Sequence, residues 1–197
     1  MGFVSPYPLR DLEVELRSLP LAQVAQVAPG LRLRGETRGT VRADGALRSG
    51  VRVSGSLALR HGGRTSSIQG NGRFALGETP TFDLQLDARP VALELAAVQV
   101  PELEGVTGDV RGPITVSGTL DDLTVGADLT TPAGDVVVRG SLALNGTPRY
   151  DAEGSITGFR LDRMVTDLPE TEVTGRFRLG GAGIRPGRWR PPCLLIL

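Results

Sequence analysis

The sequence predicts an all-β, mainly antiparallel fold, arranged as a repetitive array of units of about 70 residues, each a run of strands with one short helix. Most of the chain alternates aliphatic residues with polar or small ones, the period-two pattern of strands with one apolar face. Three helical stripes interrupt this alternation, each with apolar residues at i, i+3, i+4 and i+7 before a proline that would stop a helix. The stripes begin at Leu21, Leu93 and Leu161 and end at Pro29, Pro101 and Pro169.

The first half of the chain predicts strands separated by turn-forming residues. In order, we expect a strand over 8–17, a helix over 20–28, strands containing Leu31 and Leu33, 51–59, Phe74 and Leu76, and Phe82 to Leu86, and a helix over 92–99. The turns are expected at Asp44-Gly45, at His61-Gly62-Gly63 and at 77–80. Two-residue glycine turns of this kind connect antiparallel strands, so a meander is expected.

The second half repeats this order. We expect strands over Val110 to Leu120, Leu123 to Leu129, 136–144, Tyr150 to Ile156 and Val173 to Leu179, with a helix over 161–168 before the last of them. VVVRGSLAL at 136–144 matches VRVSGSLAL at 51–59 almost position for position. The match predicts equivalent strands whose apolar residues face the same side of the sheet, with Arg52 and Arg139 on the other side.

The repeat divides the chain into units rather than globular domains. These are the end of a preceding repeat (1–28), two repeat units (29–100 and 101–168), the start of a third (169–183) and a tail outside the repeat (184–197). The tail lacks alternation and contains the chain's one tryptophan and one cysteine. The helical stripes that separate the units either pack on the sheet or gate a groove along it.

Composition disfavours catalysis and nucleic-acid binding. The net charge is zero, with 22 basic residues, all arginine and widely spread, so no concentrated basic face is expected for nucleic acid. His61 is the sole histidine and Cys193 the sole cysteine, and they are far apart in sequence. We therefore predict no catalytic residues, no metal site, no cofactor and no enzymatic activity. The acidic pair Asp121-Asp122 lacks the spacing of a calcium loop and is interpreted as a solvated turn.

The apolar side of the strands is the candidate binding surface. In a closed sandwich this side would be core, whereas in an open curved sheet it would line a groove for an apolar ligand. Small residues at inward positions, such as Gly55, Gly118 and Gly140, would help the sheet to curve. The predicted lining residues are Val51, Val53, Leu57, Leu59, Ile114, Val116, Val136, Val138, Leu142 and Leu144.

The order of these pieces resembles the AsmA-like family, and within it the long TamB-type proteins. The shared phrase is a strand, a short helix ending in P-x-L, then G-x-x-G, then G-x-L-x-x-L-x-[VA]. It is carried by PGLRLRGETRGTVRADGAL at 29–47 and PELEGVTGDVRGPITVSGTLDDLTVGADL at 101–129, and the likeness covers about residues 8–183. The third copy, PETEVTGRFRLGG, has Thr171 where Leu31 and Leu103 stand.

The resemblance implies a repetitive, curved, taco-like β-groove with an apolar interior, in the periplasm and cell envelope of a didermic bacterium. Such a bridge would conduct phospholipid between the inner and outer membranes, or support the assembly of outer-membrane proteins. The implied partners are phospholipid acyl chains and an outer-membrane barrel protein, with inner-membrane attachment through a missing N-terminal segment. The first residues, MGFVSPYPLR, do not resemble such an anchor, so an internal fragment is expected.

A structural or adhesive surface β-solenoid without a transport role is the alternative function. Solenoids usually have stricter repeats of about 20–30 residues, which disfavours this interpretation.

Overall fold

The computed structural model describes residues 9–20, 35–94, 106–164 and 169–182, which form one open, curved sheet of ten antiparallel strands. The strands lie across the sheet in chain order, so each pairs with its neighbours in sequence. Their bounds are β1 Leu9–Pro20, β2 Glu36–Ala46, β3 Gly50–His61, β4 Arg64–Ala75, β5 Thr81–Ala92, β6 Asp109–Thr119, β7 Asp122–Thr131, β8 Gly134–Ala143, β9 Arg149–Arg160 and β10 Glu172–Ala182. The predicted all-β, antiparallel class is confirmed.

The connections lie alternately at two ends of the strands, which we call the upper and lower rims. The upper rim carries the connections that follow β1, β3, β5, β7 and β9, and the lower rim carries the others. At the upper rim, Gly62 and Gly63 form a two-residue turn with φ angles of 56° and 79°. At the lower rim, 77–80 lies in the connection from β4 to β5. Both turns were predicted, and both are confirmed.

The turn predicted at Asp44-Gly45 is wrong. Both residues lie inside β2, and the turn follows at 47–49. A Cβ atom at position 45 would lie 2.3 Å from the carbonyl oxygen of Gly50 on β3, and φ at Gly45 is 126°. The glycine therefore permits a close approach of two paired strands rather than a reversal of the chain.

The predicted helices fall largely outside the described residues. Pro20 belongs to β1, Ala92 belongs to β5 and precedes a helical turn at Leu93 and Glu94, and Leu161–Arg163 form a 3-10 turn followed by Met164. The segments 21–28, 95–99 and 165–168 of these helices, and the strand predicted at Leu31 and Leu33, lie outside the described residues. At the strand ends, Leu76 follows β4 and Leu144 follows β8, because backbone pairing stops one residue earlier.

The two matching segments do not occupy equivalent strands. VRVSGSLAL lies in β3, the second strand after the long connection that follows β1. VVVRGSLAL lies in β8 and its end, the third strand after the long connection that follows β5. The two strands therefore run in opposite directions, and the predicted equivalence is wrong. Period-two alternation assigns residues to faces, but it does not encode strand direction.

Candidate functional site

One face of the sheet is apolar from the first described strand to the last. Residues directly paired across antiparallel strands share a face, so the pairing can be followed across all ten strands. One such row is Val14, Val41, Gly55, Gly70, Leu86, Ile114, Ala127, Val138, Gly154 and Phe177. The next is Leu12, Ala43, Val53, Gly72, Leu84, Val116, Val125, Gly140, Ala152 and Leu179. Neither row contains a charged residue, and we call this surface the apolar face.

The strand pairing brings most of the predicted lining residues onto this surface. Val51, Val53, Leu57 and Leu59 of β3, Ile114 and Val116 of β6, and Val136, Val138 and Leu142 of β8 all lie on the apolar face. Leu144 lies beyond β8, where its backbone N–H donates to the Leu120 carbonyl oxygen at 2.7 Å. Arg52 and Arg139 lie on the opposite face, as expected. That these residues line a lipid path stays a prediction.

Glycines bring neighbouring strands unusually close together on the apolar face. A Cβ atom built at Gly55 would lie 2.3 Å from the Thr40 carbonyl oxygen, and one at Gly118 would lie 2.1 Å from that of Asp122. Real Cβ atoms do not approach backbone oxygens so closely, so only glycine fits without a backbone shift. On the opposite face, the nearest atom to a Cβ at Gly180 would be a side-chain oxygen at 3.4 Å. The glycines thus permit crowding of the strands on the apolar side.

The apolar face is only partly covered within the part of the chain that the structure describes. The described strands belong to one sheet, and most of the face is half-buried rather than packed. The aliphatic side chains of Leu12 and Val14 in β1 are 41% and 39% exposed. Among the described residues, a closed two-sheet sandwich is therefore not formed. A recess of about 130 Å³ on this face is lined by Val41, Val53, Leu57, Ile68, Leu84 and Leu86.

The other face, which we call the polar face, carries charges of alternating sign. Neighbouring strands are joined by exposed ion pairs, Glu13–Arg42 at 2.9 Å and Glu153–Arg178 at 3.1 Å. A larger recess of about 640 Å³ lies mainly on this side, where Arg42, Asp44, Arg52, Arg73 and Asp83 contribute to its lining. Mixed signs favour neither an anion nor a cation, so recess size does not by itself identify a binding site here.

Asp44 has a perturbed pKa on this face. The hydrogen bond from the Arg52 guanidinium, at 2.8 Å, lowers the pKa of the Asp44 carboxyl below its usual range. Both groups are exposed, so the pair organises the surface more than it stabilises the fold.

The upper rim has polar contacts that the sequence pattern did not reveal. Arg64, at the start of β4, contacts Glu94 at 2.6 Å and Asp109 at 2.5 Å. The backbone N–H of Ala92 donates to the buried Ser66 hydroxyl at 2.8 Å. These contacts join the β3–β4 hairpin to the connection between β5 and β6. The partners are 30 and 45 residues from Arg64, so local periodicity gave no signal for them.

Backbone hydrogen bonds also fix the start of the connection between β9 and β10 at the upper rim. The backbone N–H of Thr107 donates to the Met164 carbonyl oxygen at 2.9 Å, and the N–H of Arg160 donates to Ala133 at 2.6 Å. Ala133 and Met164 are buried. The described ends of these connections thus pack on the rim.

The described residues contain no candidate metal-binding cluster. No group of three His, Cys, Asp or Glu side chains within them could hold a metal ion. His61 ends β3 beside a turn, and Cys193 lies outside the described residues. Asp121 lies in the β6–β7 turn, where its carboxylate accepts a hydrogen bond from Asn145 at 2.6 Å. No helix among the described residues has the length and apolarity needed to cross a lipid bilayer.

Comparison with known proteins finds no matching family model, no matching curated protein and no matching solved structure. The resemblance to the AsmA-like family therefore rests on the sequence phrases alone.

Proposed function

We propose that the apolar face binds the acyl chains of phospholipids and does no chemistry on them. The observation that carries this proposal is the continuity of the apolar rows across ten strands of an open sheet. Leaving aliphatic surface in water is unfavourable by about 25 cal/mol for each Å² of apolar area. An acyl chain would remove such surface from water without requiring any polar partner.

The chemistry of the face suits a flexible hydrocarbon better than an ordered polar ligand. Its two central rows consist of aliphatic residues, glycine, alanine and one phenylalanine, which offer no side-chain hydrogen bonds. A Cβ atom at Gly70 would lie 2.7 Å from Leu86 Cδ2, and one at Gly72 would lie 2.8 Å from Leu84 Cδ2, so these leucine side chains occupy the space above the glycines. A surface of this kind selects by apolarity and shape, so different acyl chains would bind to it.

The wider role follows from the family resemblance. In that setting the chain is a segment of an envelope protein that conducts phospholipid between inner and outer membranes or supports outer-membrane protein assembly. Its location would be the periplasm, with attachment to the inner membrane through another segment and contact with an outer-membrane protein. A structural or adhesive β-solenoid would have the same strands but would need no lipid on the apolar face.

Mass spectrometry of co-purified lipid tests the proposal. The folded chain is purified, extracted with organic solvent and compared with V116D on the apolar face and S117D on the polar face. We expect phospholipid with the wild type and with S117D, and a loss of most of it with V116D. Folded wild-type protein without lipid, or equal lipid in all three samples, would reject the proposal in favour of the structural role.

A further inference from the structure

The two outer strands of the described sheet carry opposite charges on the polar face. β1 presents Glu13 and Glu15, followed by Arg17, which contacts Glu15 at 3.4 Å, whereas β10 presents Arg176 and Arg178, and all five residues are exposed. Each of these strands pairs with one neighbour in the part of the chain that the structure describes. The outward side of an edge strand has backbone groups able to pair with another strand.

Rows of directly paired residues cross the whole sheet, each from one residue of β1 to one residue of β10. Glu13 and Arg178 terminate one row, whose members are Glu13, Arg42, Ser54, Asn71, Gln85, Thr115, Gly126, Arg139, Glu153 and Arg178. Val14 and Phe177 terminate the adjacent row on the apolar face. The rows therefore begin and end at corresponding positions of the two edge strands. These strands run in opposite directions, as antiparallel partners must.

We propose that β10 of one copy pairs antiparallel with β1 of a second copy, which extends the sheet. In the register that continues the rows, Arg178 faces Glu13 and Arg176 faces Glu15. The charges then alternate across the junction, from Glu153 and Arg178 of one copy to Glu13 and Arg42 of the next, as in the ion pairs within each chain.

The same register joins the apolar faces. Phe177 faces Val14 and Leu179 faces Leu12, so two exposed aliphatic side chains of β1 become covered. Both faces of the junction are complementary in a single register. A shift by one residue would place Arg178 against an aliphatic side chain and lose both sets of contacts.

Pairing of like edges is disfavoured in the registers that are centred on the same rows. Two antiparallel β1 strands centred on Val14 would set Glu13 against Glu15, and two β10 strands centred on Phe177 would set Arg176 against Arg178. The favoured contact is therefore heterologous, between different edges of two copies. Such a contact leaves one free edge at each end, so it predicts an open-ended series of copies rather than a closed dimer.

Sedimentation velocity over a range of protein concentrations tests this inference, which does not depend on lipid binding. The wild type should associate increasingly with concentration, and added salt should weaken the association because the edge charges are exposed. E13R/E15R alone and R176E/R178E alone should each associate at least about tenfold more weakly, since each sets like charges across the junction. Mixing the two variants, or combining all four substitutions, should restore association.

A matched control is D83R/D128R, which makes the same change of charge on the polar face of the interior strands β5 and β7. It should associate like the wild type. Circular dichroism verifies the fold of each variant, and E13Q/E15Q serves as a milder substitution should E13R/E15R not fold. A wild type that is monomeric at every concentration, or edge variants that still associate alone, would overturn the inference.

Discussion

The two faces of the sheet are built by the same ten strands, yet their glycines have different surroundings. On the apolar face, Gly55 and Gly118 lie directly against backbone oxygens of the neighbouring strand. On the polar face, Gly126 and Gly180 have side-chain oxygens as their nearest contacts, and these can move aside. The comparison teaches that, at these positions, backbone contacts limit what the apolar face can accommodate, whereas side-chain contacts limit the polar face.

The largest expected effect is that of Gly118→Ala. The new methyl group would lie 2.1 Å from the Asp122 carbonyl oxygen, at a φ of 112° that alanine avoids. We expect the free energy of unfolding to fall by about 2–4 kcal/mol. Urea denaturation followed by circular dichroism measures it.

Two controls sharpen this test. Gly180→Ala on the polar face and Gly175→Ala on the apolar face should each change stability by less than about 0.5 kcal/mol, since a Cβ has room at both positions. A large effect at Gly175 would show that membership of the apolar face, rather than backbone contact, determines the cost.

Val116→Asp against Ser117→Asp compares the faces directly. Position 116 lies between Leu84 and Val125 on the apolar face, whereas Ser117 is exposed on the polar face. Both variants introduce aspartate, which has a low strand propensity. The difference between their stabilities therefore reports the effect of the face on which the carboxylate lies. On an open, half-buried surface, V116D should be about 1–2 kcal/mol less stable than S117D in thermal unfolding. A difference above about 4 kcal/mol would indicate a closed, packed interior.

A smaller effect is expected at the upper rim, which belongs to neither face. Arg64→Met removes the partner that Glu94 and Asp109 share, and it retains much of the aliphatic side chain. Because all three side chains are partly exposed, we expect a loss of about 1 kcal/mol. The double variant R64M/E94Q should recover part of this loss if the contact is formed, and none of it if Arg64 acts through packing alone.

The smallest effect concerns the charges of the polar face. Arg52→Gln removes the hydrogen bond that lowers the pKa of Asp44, so this pKa should rise toward the usual range. A carboxyl whose folded pKa is depressed stabilises the fold above its unfolded pKa and loses this effect as the pH falls through the folded pKa. The Asp44–Arg52 contribution is therefore lost in acid, below the ordinary pKa of aspartate. An NMR titration of the Asp44 carboxyl carbon measures the shift, and an unchanged midpoint in R52Q would contradict the assignment.

The alternation of apolar and polar residues was sufficient to predict strands and faces. The strand predicted over 51–59 lies within β3, and its valines and leucines share a face with Val136, Val138 and Leu142 of β8. Alternation alone specifies which side a residue faces, and it is the same whichever way the strand runs. For this reason the likeness between β3 and β8 wrongly suggested that the two strands occupy equivalent positions.

Contacts between distant segments could not be predicted in this way. The contact of Arg64 with Asp109 depends on the order of the strands and on the alignment of their ends, neither of which is encoded locally. Gly45 resembled a turn residue because glycine serves both tight turns and close strand approaches. The correspondence between positions of β1 and β10 depends on the registers of nine successive strand pairs, so it could not be predicted from the local pattern either.

The most direct test of the lipid-binding face is photo-crosslinking in cells. A photoreactive residue is placed at Val116 or Leu142 on the apolar face, and at Ser117 or Ser141 on the polar face as matched neighbours. After irradiation, mass spectrometry of the purified protein should find phospholipid adducts at 116 and 142 and few or none at 117 and 141. A folded protein with no lipid adducts at 116 and 142, or with equal adducts on both faces, would contradict the account.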